Sequence, residues 1–303
     1  MQEKTLVVII GPTGVGKTNL SLHLAQTLNT EIISCDSRQF YKELKIGTAA
    51  PTEEELQLVK HHFIGNLSIF DLYNAGQYEL DAIAKLDELF KTHDQVLMVG
   101  GSMLYVDAVC NGIAETPTID QEVREKLADR LKNEGEDSIR NELKIIDPNY
   151  YHLIDKKNIK RMVHALEVFY MTGKPFSSFH TNEKKQRPFN ILKIGLNKER
   201  EILYNQINQR VDKMIEMGLL EEAKQFYAYK HLNTLNTVGY KEIYNYMDGK
   251  YDLDFAINMI KQNSRHYAKK QLSWFNRDNE IHWFNPENED EIIAFVKANI
   301  KKL

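Results

Sequence analysis

An apolar run, Leu6-Val7-Val8-Ile9-Ile10, leads without a break into Gly11-Pro12-Thr13-Gly14-Val15-Gly16-Lys17-Thr18. No other stretch of the chain restricts its fold as tightly. The run has strand length, the eight residues after it match G-x-x-x-x-G-K-[ST], and Leu20, Leu22, Leu24 and Leu28 continue as a helical pattern. That order has a mechanical reason. Glycines let the backbone turn its N–H groups inward around a phosphate, and the helix that follows adds its positive N-terminal end. Lys17 then reaches the outer phosphate, and the Thr18 hydroxyl can hold Mg²⁺. Strand, loop and helix together predict an α/β protein with a P-loop NTPase-like parallel sheet, binding a di- or triphosphate along residues 11–18.

What the loop does with that phosphate depends on what ends the neighbouring strands. Relatives that hydrolyse ATP or act as kinases place a metal-binding acid after a second apolar strand. Here Val96-Leu97-Met98-Val99 runs instead into Gly100-Gly101-Ser102, which has no carboxylate. An acid does follow the other early strand, where Glu31-Ile32-Ile33-Ser34-Cys35 leads to Asp36. Ligands of parallel sheets sit beyond the carboxyl ends of the strands, so Asp36 and Ser102 are both expected to open onto the phosphate pocket. From spacing alone, Asp36 can bind a metal, accept a proton or cap the next helix.

With 303 residues, 42% of them hydrophobic, the chain can bury one large core or two smaller ones. No apolar run approaches the roughly 20 residues of a membrane span, and the first apolar stretch lacks a signal-peptide pattern. A cytoplasmic protein with no membrane partner is expected. Cys35 and Cys110 fit neither a disulfide framework nor zinc spacing, and are expected to pack as small apolar residues.

The formal net charge of −4 is unevenly distributed: residues 156–275 carry 21 Lys and Arg against 12 Asp and Glu, the remainder 18 against 31. His164, Gln262, His266, Tyr267 and Gln271 are interspersed in the basic segment. Cations for phosphates and flat side chains for splayed bases suit RNA. Arg161, Arg265 and Lys269 are candidate phosphate contacts, the last two one helical turn apart.

Along the chain, an α/β pattern is interrupted and then resumed. Strands are expected at 6–10, 31–35 and 95–99, with helices at 18–28 and 77–91. Thr116-Pro117-Thr118 marks a boundary, and Asp120 begins a helical stretch through Val123, Leu127 and Leu131 that Asp147-Pro148 breaks. Asn158 then caps an amphipathic helix ended by Gly173 and Pro175. A strand at 191–196, helices at 199–217, 219–229 and 254–275, and a last strand at 280–284 follow. Residues 1–113 and 198–303 are read as the core, with 114–197 as a helical insertion.

Beyond the phosphate loop, CDSRQFY (35–41), IGTAAPT (46–52), HHFIG (61–65), AGQY (75–78), VGGSMLYVDAVCNGI (99–113), KRMVHALEVF (160–169), VGYKE (238–242) and SRHYAKKQLSWF (264–275) occur in order. In this the sequence resembles the tRNA dimethylallyltransferase family over nearly its whole length. The resemblance implies transfer of the dimethylallyl group of dimethylallyl diphosphate to N6 of the adenosine on the 3′ side of the tRNA anticodon, with release of diphosphate. It implies that residues 11–18 hold the diphosphate and that Asp36 is the general base, while the phosphate-loop chemistry makes Mg²⁺ on Thr18 the expected cofactor. Ser102 keeps a hydroxyl where the family usually has threonine. Asp36, Ser37, Arg38, Gln39 and Ser102 would face the tRNA, as would Arg124 and the stretch Lys160, Arg161, Met162, Val163 and His164. The insertion would grip the anticodon stem-loop, and no obligate protein partner is implied. Two cysteines and an end at Leu303 leave no room for the zinc-finger tail of many eukaryotic members, so the bacterial type is expected.

The chain departs from the family pattern at several places. Met103 is bulkier than the usual residue, Ala50 replaces a lysine, Gly65 replaces an aspartate after the paired histidines, and Asn236 replaces an arginine whose charge Lys241 could supply. The histidines at 61 and 62 are therefore read as structural. An adenylate isopentenyltransferase shares the core chemistry but has no use for an anticodon-gripping insertion. A small-molecule kinase would need the acid that is missing after residue 99.

Overall fold

A computed structural model of the protein describes residues 4–114, 117, 119–179 and 184–300. Six strands, β1 (Thr5–Ile10), β2 (Ile32–Ser34), β3 (His61–His62), β4 (Gln95–Gly100), β5 (Asn190–Leu196) and β6 (Ile281–Phe284), form one sheet. Its order is β3-β2-β4-β1-β5-β6, and every neighbouring pair is parallel. The phosphate-loop strand β1 is central, flanked by β4 and β5 along its whole length. This is the P-loop NTPase-like α/β architecture.

All six residues of β1 are buried, as expected for a strand covered on both faces. The two-residue period of a strand divides them. Leu6, Val8 and Ile10 pack with Val96, Met98, Tyr78, Leu86 and Val109 on one face of the sheet. Val7 and Ile9 pack with Leu97, Ile194, Leu20, Leu24 and Ile207 on the other. A third cluster, around Leu44, Leu219, Leu235, Tyr240 and Ile243, joins the C-terminal helices.

The chain divides into two compact units, Met1–Asn111 with Gln186–Leu303, and Gly112–Lys185. The strand at 190–196 thus stands inside the sheet, hydrogen-bonded to β1 and β6. The expected insertion limit at residue 197 therefore falls too late in the chain. Polar residues before β5 hide the return to the sheet, because an apolar run is visible only from Ile191. Of the boundary residues Thr116-Pro117-Thr118, Thr116 and Thr118 lie outside the described residues.

The 112–185 unit is helical, with its own core of Leu127, Ile139, Leu143, Met162, Leu166 and Phe176. Asp147 ends helix Glu136–Ile146 and caps Pro148–Leu153 through Tyr150 N. The Asn158 side chain caps helix Ile159–Thr172, which Gly173 closes in a left-handed conformation. Among the described residues, no helix is long and apolar enough to cross a membrane.

Candidate active site

The phosphate loop lies between β1 and helix Lys17–Leu28. Lys17 Nζ donates to the carbonyls of Gly11 at 3.0 Å and Pro12 at 2.8 Å, bridging the loop that it serves. Its pKa is lowered to about 8, first by burial and then by the nearby Arg210 cation, with Asp36 pulling the other way. Thr18 is exposed in the first turn of the helix.

Gln271, on helix Leu253–Phe275, is one of the residues expected at an RNA surface, but it is only 2% exposed. Its Oε1 accepts from Thr13 N at 2.8 Å and its Nε2 donates to Gly101 O at 2.8 Å. Gln271 therefore clamps the phosphate loop to the end of β4. A Cβ on Gly101 would come within 2.2 Å of Gln271 Nε2, and one on Gly100 within 2.6 Å of Cys35 Sγ. The two glycines where a kinase would carry its acid are demanded by this close approach.

Asp36 follows β2. One carboxylate oxygen accepts from Arg38 N at 3.0 Å inside a turn, and the next helix, Glu53–Leu58, is capped by Thr52, so Asp36 caps no helix. Its second oxygen has no protein partner among the described residues and is available to a ligand. Ser102 is 6% exposed at the end of β4. Its Oγ accepts from Ser37 N at 2.9 Å and donates to Ser37 Oγ at 3.0 Å, which commits it to bracing the β2 loop. Burial pushes the Tyr267 phenol up to about 12, with Asp36 adding to the shift and the Ser102 hydroxyl opposing it.

Arg38 Nη1 donates to Thr234 O at 3.1 Å, and Gln39 Nε2 to the carbonyls of Thr48 and Ala49 at 3.3 and 3.0 Å. The IGTAAPT segment is thus the brace for Gln39. Buried Glu222 anchors it in turn, accepting from Lys45 N, Ile46 N and Gly47 N at 3.0, 2.9 and 2.9 Å and from the Tyr240 hydroxyl at 2.5 Å.

Arg210 is the residue that sequence reasoning missed. It projects from helix Arg200–Glu216, and burial lowers its pKa while Asp36 opposes the shift. Among the described residues no carboxylate lies within ion-pair distance of it. An arginine set between the core positions Ile207 and Val211 was the available signal. Arg210 is half-buried, and a partly desolvated arginine without a carboxylate is favoured when an anion is its partner. Lys17, Arg210 and Asp36 are close enough to perturb one another's charge, and with the loop N–H groups and the helix end the two cations have the chemistry to hold a polyanion. No cluster of three or more His, Cys, Asp or Glu suited to a metal occurs among the described residues. The Thr18 hydroxyl fits a hard cation that takes its other oxygens from water and phosphate.

Other expected residues fall in varied settings. Met162 is 0% exposed in the core of the 112–185 unit, so its side chain cannot meet RNA, and Val163 packs partly against the same core. Lys160 and Arg161 are exposed in the first turn of their helix. Arg124 and His164, on separate helices, meet at one buried carboxylate: Glu167 lies 3.5 Å from Arg124 Nε and 3.1 Å from His164 Nδ1. The His164 hydrogen bond, followed by Arg124, holds the Glu167 carboxyl below its usual range against the cost of burial. Arg265 is half-buried and donates to Asn208 Oδ1 at 2.6 Å; Lys269 is exposed. His61 and His62 form the edge strand β3, where His62 Nε2 meets Glu31 Oε2 at 2.6 Å. Gly65 has a φ of 58°, a left-handed conformation that accounts for glycine in place of aspartate. Cys35 and Cys110 are buried free thiols.

The profile of the family described as IPP transferase matches residues 39–278. The tRNA dimethylallyltransferase 1 of Bacteroides fragilis (strain YCH46) is 58% identical over 301 residues, covering 99% of this chain and 100% of its own. The crystal structure of the full-length tRNA isopentenylpyrophosphate transferase from Bacillus halodurans superposes with a TM-score of 0.72 at 34% identity, over 99% of this chain and 98% of that one. A eukaryotic dimethylallyltransferase, described in crystallographic snapshots as acting on tRNA, gives a TM-score of 0.80 at 29% identity, over 93% of this chain and 73% of its own. Sequence and fold agree over almost the whole length, and the chain belongs to the IPP transferase family.

Proposed function

We propose that this enzyme moves the dimethylallyl group of dimethylallyl diphosphate onto N6 of the adenosine 3′-adjacent to the anticodon of cytoplasmic tRNA. The observation that carries this reading is the grouping of Lys17, Arg210 and the loop backbone beside an Asp36 carboxylate oxygen that has no protein partner among the described residues.

The adenine amine attacks the first carbon of the dimethylallyl group, and the bond from that carbon to the diphosphate oxygen breaks. Charge builds on the departing diphosphate, where the free backbone N–H groups of the phosphate loop, Lys17 and Arg210 stabilise it. Asp36 takes the proton that the amine must lose. Because Asp36 is fixed by its bond from Arg38 N, it meets the amine already oriented. Gln271 holds the loop in shape, and Ser102 holds Ser37 beside the base. Thr18 would hold Mg²⁺, which would supply further charge neutralisation.

Phosphate contacts from the exposed cations Lys160, Arg161 and Lys269, together with Arg124 and His164 at Glu167, would supply the grip on the anticodon stem-loop. The target adenine must leave its stack to present N6 to the pocket, which is cheapest in a loop already single-stranded.

Mass analysis of nucleosides from tRNA incubated with the enzyme and dimethylallyl diphosphate tests the proposal. An adenosine heavier by one dimethylallyl group at the position after the anticodon is expected. Modification of free AMP with untouched tRNA would overturn it in favour of an adenylate isopentenyltransferase.

A further inference from the structure

We propose that Gln206, held by Lys198, is a positioning residue for the isoprenoid donor. It grips the Gly14 carbonyl from outside the phosphate loop and so keeps the Val15 N–H turned towards the diphosphate. The inference rests on the functional reading above in taking diphosphate as the ligand of the loop.

Other side chains already fix the start of the loop. Lys17 Nζ donates to the carbonyls of Gly11 and Pro12, and Gln271 Oε1 accepts from Thr13 N. The Thr13 N–H is thereby spent. Of the peptides after it, the one between Gly14 and Val15 is held by Gln206. That residue lies on helix Arg200–Glu216, which approaches so closely that a Cβ on Gly14 would come within 3.0 Å of Ile207 Cγ1. One orientation of the Gln206 amide satisfies both neighbours: Nε2 donates to Gly14 O at 3.2 Å, and Oε1 accepts from Lys198 Nζ at 3.1 Å. Turned over, the amide would set its oxygen against a carbonyl and its nitrogen against an ammonium. Lys198 therefore decides which end of the amide meets the loop, and its charge polarises that amide into a better donor.

Lys198 is itself fixed. It follows β5, its side chain is 10% exposed, and its Nζ lies 3.0 Å from Oε1 of Glu287, which follows β6. The neighbouring Pro286 Cβ stands 3.9 Å from where a Cβ on Gly16 would be. The ends of two adjacent strands thus brace the loop at Gly14 and border it at Gly16. A trans peptide is planar, and its C=O and N–H point in opposite directions. Holding the Gly14 carbonyl outward, against the helix, leaves the Val15 N–H facing inward, where it has no acceptor among the described residues. An N–H oriented before the ligand arrives needs no reorganisation as charge builds on the departing diphosphate. Gln206 touches no reacting atom and acts through that peptide.

The experiment measures Kd for inorganic diphosphate, and KM for dimethylallyl diphosphate and for tRNA, in the wild type, Q206A, Q206E, K198M and the double variant K198M/Q206A. Q206A is expected to weaken diphosphate binding about tenfold and to raise KM for the donor equally, with KM for tRNA unchanged. Q206E keeps the volume and the Lys198 contact but sets an acceptor against the Gly14 carbonyl. It should lose at least as much, and it serves where Q206A folds poorly. K198M is expected to lose about threefold alone and nothing further in the double variant, because Lys198 acts through Gln206. Wild-type diphosphate affinity in Q206A and Q206E, or a K198M loss that adds in full to that of Q206A, would overturn the inference. Diphosphate binding by the wild type without transfer from dimethylallyl diphosphate to tRNA would instead overturn the functional reading and leave this inference standing.

Discussion

In the unit formed by residues 1–111 and 186–303, the functional groups are set by backbone. The phosphate loop is shaped by its own carbonyls and by Gln271, and Asp36 is oriented by the N–H of Arg38. In the 112–185 unit the candidate groups are long side chains on helix surfaces. Arg124 and His164 there owe their position to one buried carboxylate, and Lys160 and Arg161 stand in solvent. The first arrangement suits chemistry, where a small displacement of a charge changes the rate. The second suits adhesion to a polyanion, where charges add up and geometry is forgiving. Substitutions at the phosphate loop, Arg210 and Asp36 should therefore move kcat or use of the isoprenoid donor, and substitutions of the exposed cations in the second unit should move tRNA affinity and its salt dependence.

The largest effect expected is at Asp36, the proposed general base. Asp36→Ala should lower kcat by about 10²–10⁴ with tRNA affinity little changed, measured by single-turnover kinetics beside filter binding. Turnover close to wild type would remove Asp36 from the chemistry. Arg210→Ala comes next. Loss of a charge-assisted contact to the diphosphate should raise KM for dimethylallyl diphosphate by about 10- to 100-fold and leave KM for tRNA alone. A change in KM for tRNA alone would transfer Arg210 to the adhesive class.

A pH titration gives a smaller, graded effect. Lys17 has its pKa lowered to about 8, so in the free enzyme it loses its charge as pH rises through 8. Affinity for inorganic diphosphate should be full below that value and decline above it, by at most about tenfold per pH unit. Flat affinity from pH 7 to 9 would contradict the environment described for Lys17. The smallest effects belong to the helical unit. Arg124→Ala should weaken stem-loop binding a few-fold and flatten the log–log salt slope by about 0.7 if it meets a single-strand phosphate. Met162→Ala should destabilise the unit by about 2–5 kcal/mol in thermal unfolding while leaving the salt slope unaltered. A slope change with Met162→Ala and none with Arg124→Ala would reverse the contrast between these two residues.

The same contrast explains what could be read from the chain. Residues 11–18 are legible because one contiguous segment supplies strand, loop and helix, and Asp36 is legible because it directly ends a strand. Arg210 is not, since its charged neighbours Lys17 and Asp36 lie far away in sequence and come near it only through helix packing. Gln271 was misjudged for a related reason: a polar residue in a basic helix looks exposed until the loop N–H that it binds is known. Met162 was included with its neighbours as part of a motif, although the helical period turns it inward while Lys160 and Arg161 face out. The late insertion limit reflects a strand whose first residue, Asn190, carries no apolar signal.

The central claim is that the phosphate loop serves a leaving group and not a hydrolysed nucleotide. The most direct measurement counts products in one reaction containing enzyme, tRNA, dimethylallyl diphosphate and ATP. One diphosphate released for each modified adenosine, with the ATP intact, is the expected result. ATP consumed in proportion to modification, or modification without release of diphosphate, would contradict it.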